Sequence, residues 1–292
     1  MDGCQYIIIS LSQGSSFYIG MQYLPKDVDF LTHWFEASKH SYSPFSTVNT
    51  KTHLNVFGVG SGNGELDLNI LSGLHLKNPE MKVNNEVVEP NPDQLQKYKD
   101  LMSQTPGLDF IKFTWSNITA EEFEGQWKEK KMTKKADLIF MFHMLYYVKD
   151  PEATISFFHS LLNKNGKLII SQVPDASGWE KLRTMHGKQF GYTENLCLTT
   201  AGIKKLLDSK GLIYKSYVVP SDLDITECFL EGNERGELLL DFLTHVRHFS
   251  QSVSPQLKAK VMESLRHVCS KESKGKVIFN SDTEVIIVES LI

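Results

Sequence analysis

Val56-Phe57-Gly58-Val59-Gly60-Ser61-Gly62-Asn63-Gly64-Glu65 is the point where an apolar run stops and a helical pattern begins, with glycine at every second position from 58 to 64. Leu54 to Val59 reads as a strand, and Glu65 to Leu74 as a helix with Leu66, Ile70 and Leu74 at helical spacing. Glycines at such a junction let backbone approach a ligand and adopt dihedrals that other residues avoid. The helix start behind them offers unpaired N–H groups. Outward from this loop the alternation repeats. Val83 to Val88 is a strand, and a helix opens at Asn91 as N-cap with Pro92 at N1 and Gln94 at N3, close to a capping box. Asp109 to Thr114 and Asp137 to Phe142 are strands. Asp150-Pro151 starts a helix expected to end at Gly166, before a strand over Lys167 to Ser171. Gly202 to Lys210 is a helix, Ile213 to Val219 a strand and Glu237 to Phe249 a helix. Lys276 to Phe279 and Val285 to Glu289 are expected to pair as a hairpin. Strand and helix in alternation with short connections predict a doubly wound parallel α/β sheet.

The spacing of the loop also selects among ligands. The dinucleotide fingerprint GxGxxG fails, because its third glycine falls on Glu65 counted from Gly60 and on Asn63 counted from Gly58. This argues against hydride transfer with a nicotinamide dinucleotide. GxGxG leaves no room for a pyrophosphate and fits a phosphate-free cofactor, S-adenosylmethionine. The second strand then delivers Glu89, 25 residues past Gly64. A carboxylate there has lone pairs for both ribose hydroxyls. Gln94 carries two readings, as the N3 member of the cap or as an amide turned to the cofactor. Phe142, at the end of its strand, either covers the adenine or packs as core.

The chain has 292 residues, 41% hydrophobic and 23% charged, the balance of a globular protein able to bury a full-sized core. The net charge of −4 argues against broad binding to nucleic acid or anionic membrane. Cys4, Cys197, Cys228 and Cys269 show no zinc or CxxC spacing and read as free thiols. The N-terminus lacks a signal-peptide pattern and no window approaches a membrane span, so a cytoplasmic location is expected. The first fifty residues form a segment of different texture, with a short helix expected over Asp27 to Ala37. Lys128, Lys130, Lys131, Lys134 and Lys135, interleaved with Glu129, read as a solvated face. His245 and His248 stand at i, i+3 on an expected helix without a third ligand, and no metal is expected.

Longer strings are more specific. Gly60 to Glu65, Asn84-Asn85-Glu86-Val87-Val88-Glu89-Pro90, Met144-Leu145-Tyr146-Tyr147-Val148-Lys149-Asp150, Phe157 to Leu162, Ser177-Gly178-Trp179, Gly232-Asn233-Glu234, Asp241-Phe242-Leu243-Thr244 and Gly275-Lys276-Val277 resemble the histamine N-methyltransferase family. The likeness runs from about Leu54 to the C-terminus. It implies a Rossmann-like seven-stranded methyltransferase sheet over 51–292, with substrate-side insertions at about 174–200 and 221–250 and a substrate-side role for 1–50. It implies a cytosolic monomer that moves methyl from S-adenosylmethionine to an imidazole nitrogen of a small amine, with no nucleic-acid or membrane partner. By motif match Gly60, Glu89 and Gln94 inherit cofactor contacts, and Gly62 and Gly64 of the same loop are candidate cofactor residues. Ala120 stands where the family has a serine, next to Thr119, and Phe142 replaces an aliphatic cofactor neighbour. Tyr146, Tyr147, Trp179, Phe190 and Phe242 match aromatics of the family's substrate pocket.

Three positions depart from the family. A substrate-holding glutamine is His143, an asparagine near the last hairpin is Ser281, and the N-terminal glutamate falls, counted without gaps, on Val28 between Asp27 and Asp29. Gly60, Glu89 and Gln94 are kept, whereas these three polar acceptor positions vary. That pattern predicts the same reaction on histamine or a related acceptor such as a histidine-containing dipeptide. The alternative is a binding protein that keeps the cofactor fold without turnover. His143-Met144-Leu145-Tyr146 lacks the Asn/Asp-Pro-Pro-aromatic string of enzymes that methylate DNA or protein amino groups.

Overall fold

The computed structural model describes residues 5–6, 21–22, 51–192 and 198–291. The helix expected over Asp27 to Ala37, Val28 with its flanking acids, Cys4 and Cys197 lie outside the described residues. From residue 51 the elements are β1 His53–Val59, α1 Glu65–Lys77, β2 Lys82–Val88, α2 Pro92–Gln104, β3 Ile111–Ser116, α3 Ala120–Glu129, β4 Ala136–Phe142, α4 Pro151–Ser160 and β5 Leu162–Gln172. They continue with α5 Gly178–Phe190, α6 Thr200–Ser209, β6 Tyr214–Val219, β7 Asp222–Asp224, a 3-10 turn Thr226–Phe229, α7 Glu234–Thr244, α8 Phe249–Ser252, α9 Pro255–His267, β8 Ser270–Ser273, β9 Lys276–Asn280 and β10 Thr283–Glu289.

The chain divides into two compact units. One comprises Phe30–Gln172, Gly202–Tyr217 and Val285–Ile292, the other Met1–Asp29, Val173–Ala201 and Val218–Glu284. The first is built on a seven-stranded sheet of order β3-β2-β1-β4-β5-β10-β6. Within it β1 pairs in parallel with β2 and β4, β2 with β3, and β4 with β5. Parallel strands covered by helices on both faces read as continuous apolar runs, and β4 is buried from Ala136 to Met141. The order reverses between β1 and β4. Doubly wound sheets bind ligands at that switch point, outside the carboxyl ends of the strands. The glycine loop follows β1 there. The second unit carries a three-stranded antiparallel sheet, β8-β9-β7, and its own core around Leu182, Ile225, Leu240, Leu243, Phe249 and Phe279.

Four expectations need correction. Gly166 does not end α4, which stops at Ser160; it lies inside β5. A Cβ there would stand 2.9 Å from the carbonyl oxygens of Ala136 and Asn163, and the β4–β5 register shifts at this place. The glycine is needed for a bulge, not a helix end. Lys276 to Phe279 and Val285 to Glu289 do not form a hairpin with each other. β9 belongs to the three-stranded sheet and β10 to the seven-stranded one. The helix expected over Glu237 to Phe249 breaks at Thr244, and His245 and His248 both adopt left-handed backbone, φ 53° and 51°. Asp241 accepts the N–H groups of His248 and Phe249 at 2.7 Å and turns the chain. The i, i+3 histidine pair therefore does not share a helix face. Helices α3, α5 and α9 are not anticipated above, although Thr119 with Glu122, Ser177 with Glu180 and Ser254 before Pro255 are start signals.

Candidate functional site

The loop between β1 and α1 is left-handed at Gly60, Gly62 and Gly64, with φ of 65°, 56° and 75°. Its glycines differ in what they do. A Cβ on Gly60 would lie 2.5 Å from the Met144 Cβ, and one on Gly64 would lie 2.1 Å from the Tyr98 ring. A Cβ on Gly62 would meet nothing within 4 Å. Gly60 and Gly64 are thus fixed by packing, whereas Gly62 faces open space. Gly60 donates its N–H to the Val88 carbonyl at 2.7 Å, which fastens the loop to the end of β2.

Glu89 follows directly. It is 2% exposed, and its two carboxylate oxygens accept the N–H of Gly62 and the N–H of Asn91, each at 2.8 Å. One acid thereby ties the glycine loop to the start of α2, with a lone pair left on each oxygen. Burial pushes its carboxyl up from the ordinary glutamate value, while the two backbone donors pull the other way. Asn117 donates its amide to the Glu89 and Pro90 carbonyls and fixes the turn.

Asn91 caps α2 as expected, accepting the N–H of Asp93 and Gln94. The reciprocal half of a capping box is absent, because the Asn91 N–H goes to Glu89. Gln94 is buried and its side-chain amide bonds no described residue, so the cap does not consume it. Ala120 is the first residue of α3, behind the Thr119–Glu122 capping box that occupies the neighbouring hydroxyl as an acceptor. Phe142 ends β4, half-buried, with its ring stacked on Phe140 at 5.3 Å.

Beneath the loop lie groups the sequence reading did not single out. Asp67, 1% exposed, sits on the apolar stripe of α1 with Ile70, Leu71 and Leu74 at i+3, i+4 and i+7. An acid on such a stripe is the signal that identifies it. Burial pushes its carboxyl up to about 7, opposed by the Ser61 hydroxyl and reinforced by Glu89. Tyr98 is fully buried, and the Asn85 amide donates to its hydroxyl at 3.3 Å.

The candidate acceptor residues fall in both units. In the first, His143 has left-handed backbone, φ 49°, and its N–H donates to the Ser171 carbonyl. Its Nδ1 lies 3.2 Å from the Tyr146 hydroxyl and its Nε2 3.3 Å from the Ser171 hydroxyl. The exposed imidazole is therefore held at both nitrogens. Tyr146 stacks edge-on to Tyr147 at 5.9 Å. In the second unit, Trp179 meets Phe242 and Phe279 edge-on at 5.1 Å each. His245 lies in the same aromatic set, 5.5 Å from Tyr192, and burial pushes its imidazole down to about 3, helped by the Arg183 charge. Phe190 is 5% exposed and packs in the core against Phe249 and Tyr192. Ser281 donates its hydroxyl to Ser221 at 2.8 Å. Cys228 and Cys269 are buried free thiols pushed up to about 12 by burial, which makes them poor nucleophiles. Among the described residues no helix is long and apolar enough to cross a membrane.

Known proteins place this arrangement. A family model described as a methyltransferase domain matches residues 30–212. Histamine N-methyltransferase of Danio rerio is 56% identical over 237 residues, which is 80% of this chain and 81% of that protein. The Xenopus tropicalis protein of the same name is 41% identical over 82% of both chains. Carnosine N-methyltransferase 2 of Gallus gallus is 40% identical over 83% of this chain and 76% of that one. A solved structure from Bacillus halodurans C-125 shares the fold, with TM-score 0.54 at 12% identity over 90% of this chain and 98% of that one. With a glycine loop closed by a strand-end acid at the switch point of a seven-stranded sheet, and relatives that match across most of its length, the chain belongs to the histamine N-methyltransferase family.

Proposed function

We propose that this protein is an S-adenosylmethionine-dependent N-methyltransferase whose acceptor is an imidazole nitrogen of a small amine, histamine or a histidine-containing dipeptide. The observation that carries the reading is Glu89, whose buried carboxylate joins the Gly62 and Asn91 N–H groups and keeps a lone pair on each oxygen for hydroxyl donors. The residues fit this cofactor. The buried ionisable side chains at the loop include two acids, Glu89 and Asp67, which suit a cationic cofactor better than a pyrophosphate. Gly62 leaves open space above the loop. Gly60, Gly62, Gly64, Glu89 and Gln94 are assigned as cofactor contacts, with Ala120 contributing through its backbone and Phe142 lying against the base.

When bound, the cofactor supplies a methyl group on a positively charged sulfur. The protein's work is alignment, since direct displacement needs nucleophile, carbon and leaving group in line. A neutral imidazole nitrogen already carries its lone pair, so no strong general base is required. Acceptor contacts are assigned one by one, to His143, Tyr146 and Tyr147 in the first unit and to Trp179, Phe190, Phe242 and Ser281 in the second. Aromatic faces suit both an imidazole and an ammonium. His143 holds the Tyr146 ring through its hydroxyl and so sets the tilt of that wall. The segments 174–200 and 221–250, and residues 1–50, supply the acceptor side. The protein works as a cytoplasmic monomer.

The test is transfer of a labelled methyl group to histamine and to carnosine, with the product located by NMR. Label on an imidazole nitrogen supports the reading. Tight cofactor binding without transfer to either acceptor favours the binding-protein alternative.

A further inference from the structure

Below the glycine loop the structure buries polar atoms that no described residue satisfies. Among the described residues, Ser61 Oγ, Asp67 Oδ2 and Asn85 Oδ1 are each closed off from solvent and lack a hydrogen-bond partner. Buried polar atoms in native proteins are nearly always paired, so three orphans around one loop call for an explanation. A second feature locates them. A Cβ built on Gly58, the last glycine still inside β1, would stand 2.4 Å from Asp67 Oδ2 and 2.3 Å from Ser61 Oγ. The carboxyl of α1 therefore occupies the space where a side chain of residue 58 would project, directly below the loop. The Ser61 hydroxyl stands at the same place, near enough to favour the charged carboxylate although the two are not in hydrogen-bond geometry.

We infer that Asp67 is a charge-matching residue of the cofactor site, holding a proton in the cofactor-free protein and releasing it when the cationic methyl donor binds. This rests on the cofactor reading above and extends it to a residue that the family's motif strings do not assign. The groups facing Asp67 are Ser61 from the loop, Glu89 from the end of β2 and Tyr98 from α2, and none is cationic. An isolated buried carboxylate is costly and takes up a proton instead. Burial and Glu89 together hold the carboxyl near neutrality. A positive ligand at the loop reverses this balance. The Asp67 O–H bond breaks, the electron pair stays on the carboxylate, and the proton passes to buffer. Once the methyl group has been transferred, the sulfur is neutral and the carboxylate loses part of its counter-charge. It retakes a proton from solvent, and the product is held less tightly than the donor.

Calorimetric titration of S-adenosylmethionine at pH 7, in buffers of different ionisation enthalpy, counts the protons. With the Asp67 carboxyl at about 7, the wild type is expected to release about half a proton from this group per donor bound, and less with S-adenosylhomocysteine. Donor affinity is expected to be about tenfold weaker at pH 6 than at pH 8. Asp67→Asn, which mimics the protonated acid in shape, should lose this proton release and bind at every pH no more tightly than the wild type does at pH 6. Ser61→Ala removes the group that favours the charged form, so its affinity midpoint should move to higher pH. That variant keeps the inference testable if Asp67→Asn does not fold. Proton counts equal in wild type and Asp67→Asn, or a Ser61→Ala midpoint that does not move, overturn the inference while leaving the cofactor reading intact. Absence of any donor binding by the wild type overturns both.

Discussion

Beneath the glycine loop of the first unit, burial pushes the carboxyls of Asp67 and Glu89 and the phenol of Tyr98 upward. In the second unit, burial pushes the imidazoles of His245 and His186 downward. The same desolvation acts on both sets and selects the neutral form each time. What differs is the ligand that can undo it. Buried acids are returned to their charged state by a cation, as a sulfonium donor supplies. Buried imidazoles that stay neutral place no positive charge in the aromatic set of Trp179, Tyr192 and Phe242, and so do not repel an amine. The contrast is between buried acids in one unit and buried neutral imidazoles among aromatic rings in the other.

Glycine substitutions should separate the units most strongly. Gly64→Ala drives a Cβ into the Tyr98 ring at 2.1 Å with φ 75°, and Gly236→Ala drives one into the Glu227 carbonyl oxygen at 2.1 Å. Each should lower stability by roughly 3 kcal/mol or more, since overpacking and, at residue 64, left-handed strain add. Thermal melts measure this. Gly64→Ala should also abolish donor binding, while Gly236→Ala, at a temperature where it is folded, should leave the donor Kd within about twofold. Equal losses of donor affinity would break the division of labour.

The pH dependence of stability should carry opposite signs. The folded-state carboxyl of Asp67 lies at about 7, above its ordinary value of 3.8, so its contribution is fully present below about pH 4 and is lost as pH rises through 7. The His245 imidazole lies at about 3, below its ordinary 6.5, so its contribution is present above about pH 6.5 and is lost as pH falls toward 3. Each amounts to a few kcal/mol. Between pH 4 and 6.5 the two oppose each other. Asp67→Asn should steepen the rise of Tm with pH over that interval, and His245→Phe should turn it toward a fall. Parallel profiles in wild type and both variants would contradict the comparison.

The smallest effect concerns acceptor choice. His143→Gln keeps a polar side chain but loses one of the two contacts that join Tyr146 and Ser171. It should change the ratio of kcat/KM for histamine to that for carnosine by about three- to tenfold, with donor affinity unchanged. An unaltered ratio would make His143 a structural residue.

Where local pattern and tertiary structure agree, the sequence was readable. The β1–glycine–α1 junction, Glu89 at the end of β2 and the Asn91 cap follow from period, spacing and side-chain chemistry, and each stands where those rules put it. Gly166 is ambiguous in the sequence because one residue type both ends helices and admits bulges, and the approach of the Ala136 carbonyl is a tertiary fact. The false hairpin between β9 and β10 arose because a polar turn between two apolar runs does not say which sheet each run joins. Asp67 escapes apolar periodicity because an acid interrupts the pattern that marks the buried stripe of α1. The roles of Asp241 and His245 at the break after α7 depend on capping across a left-handed turn, which leaves no periodic trace.

Glu89 offers the most direct test of the central claim, because one side chain fastens both the glycine loop and the start of α2. Calorimetric titration of S-adenosylmethionine into wild type and Glu89→Ala, at the same pH and salt, measures it. Loss of a charge-assisted hydrogen bond costs about 1.5–3 kcal/mol. The account therefore predicts micromolar-range binding by the wild type and a Kd raised by about ten- to 150-fold in the variant. A wild type that does not bind the donor, or a folded variant that binds it with unchanged Kd, would contradict it.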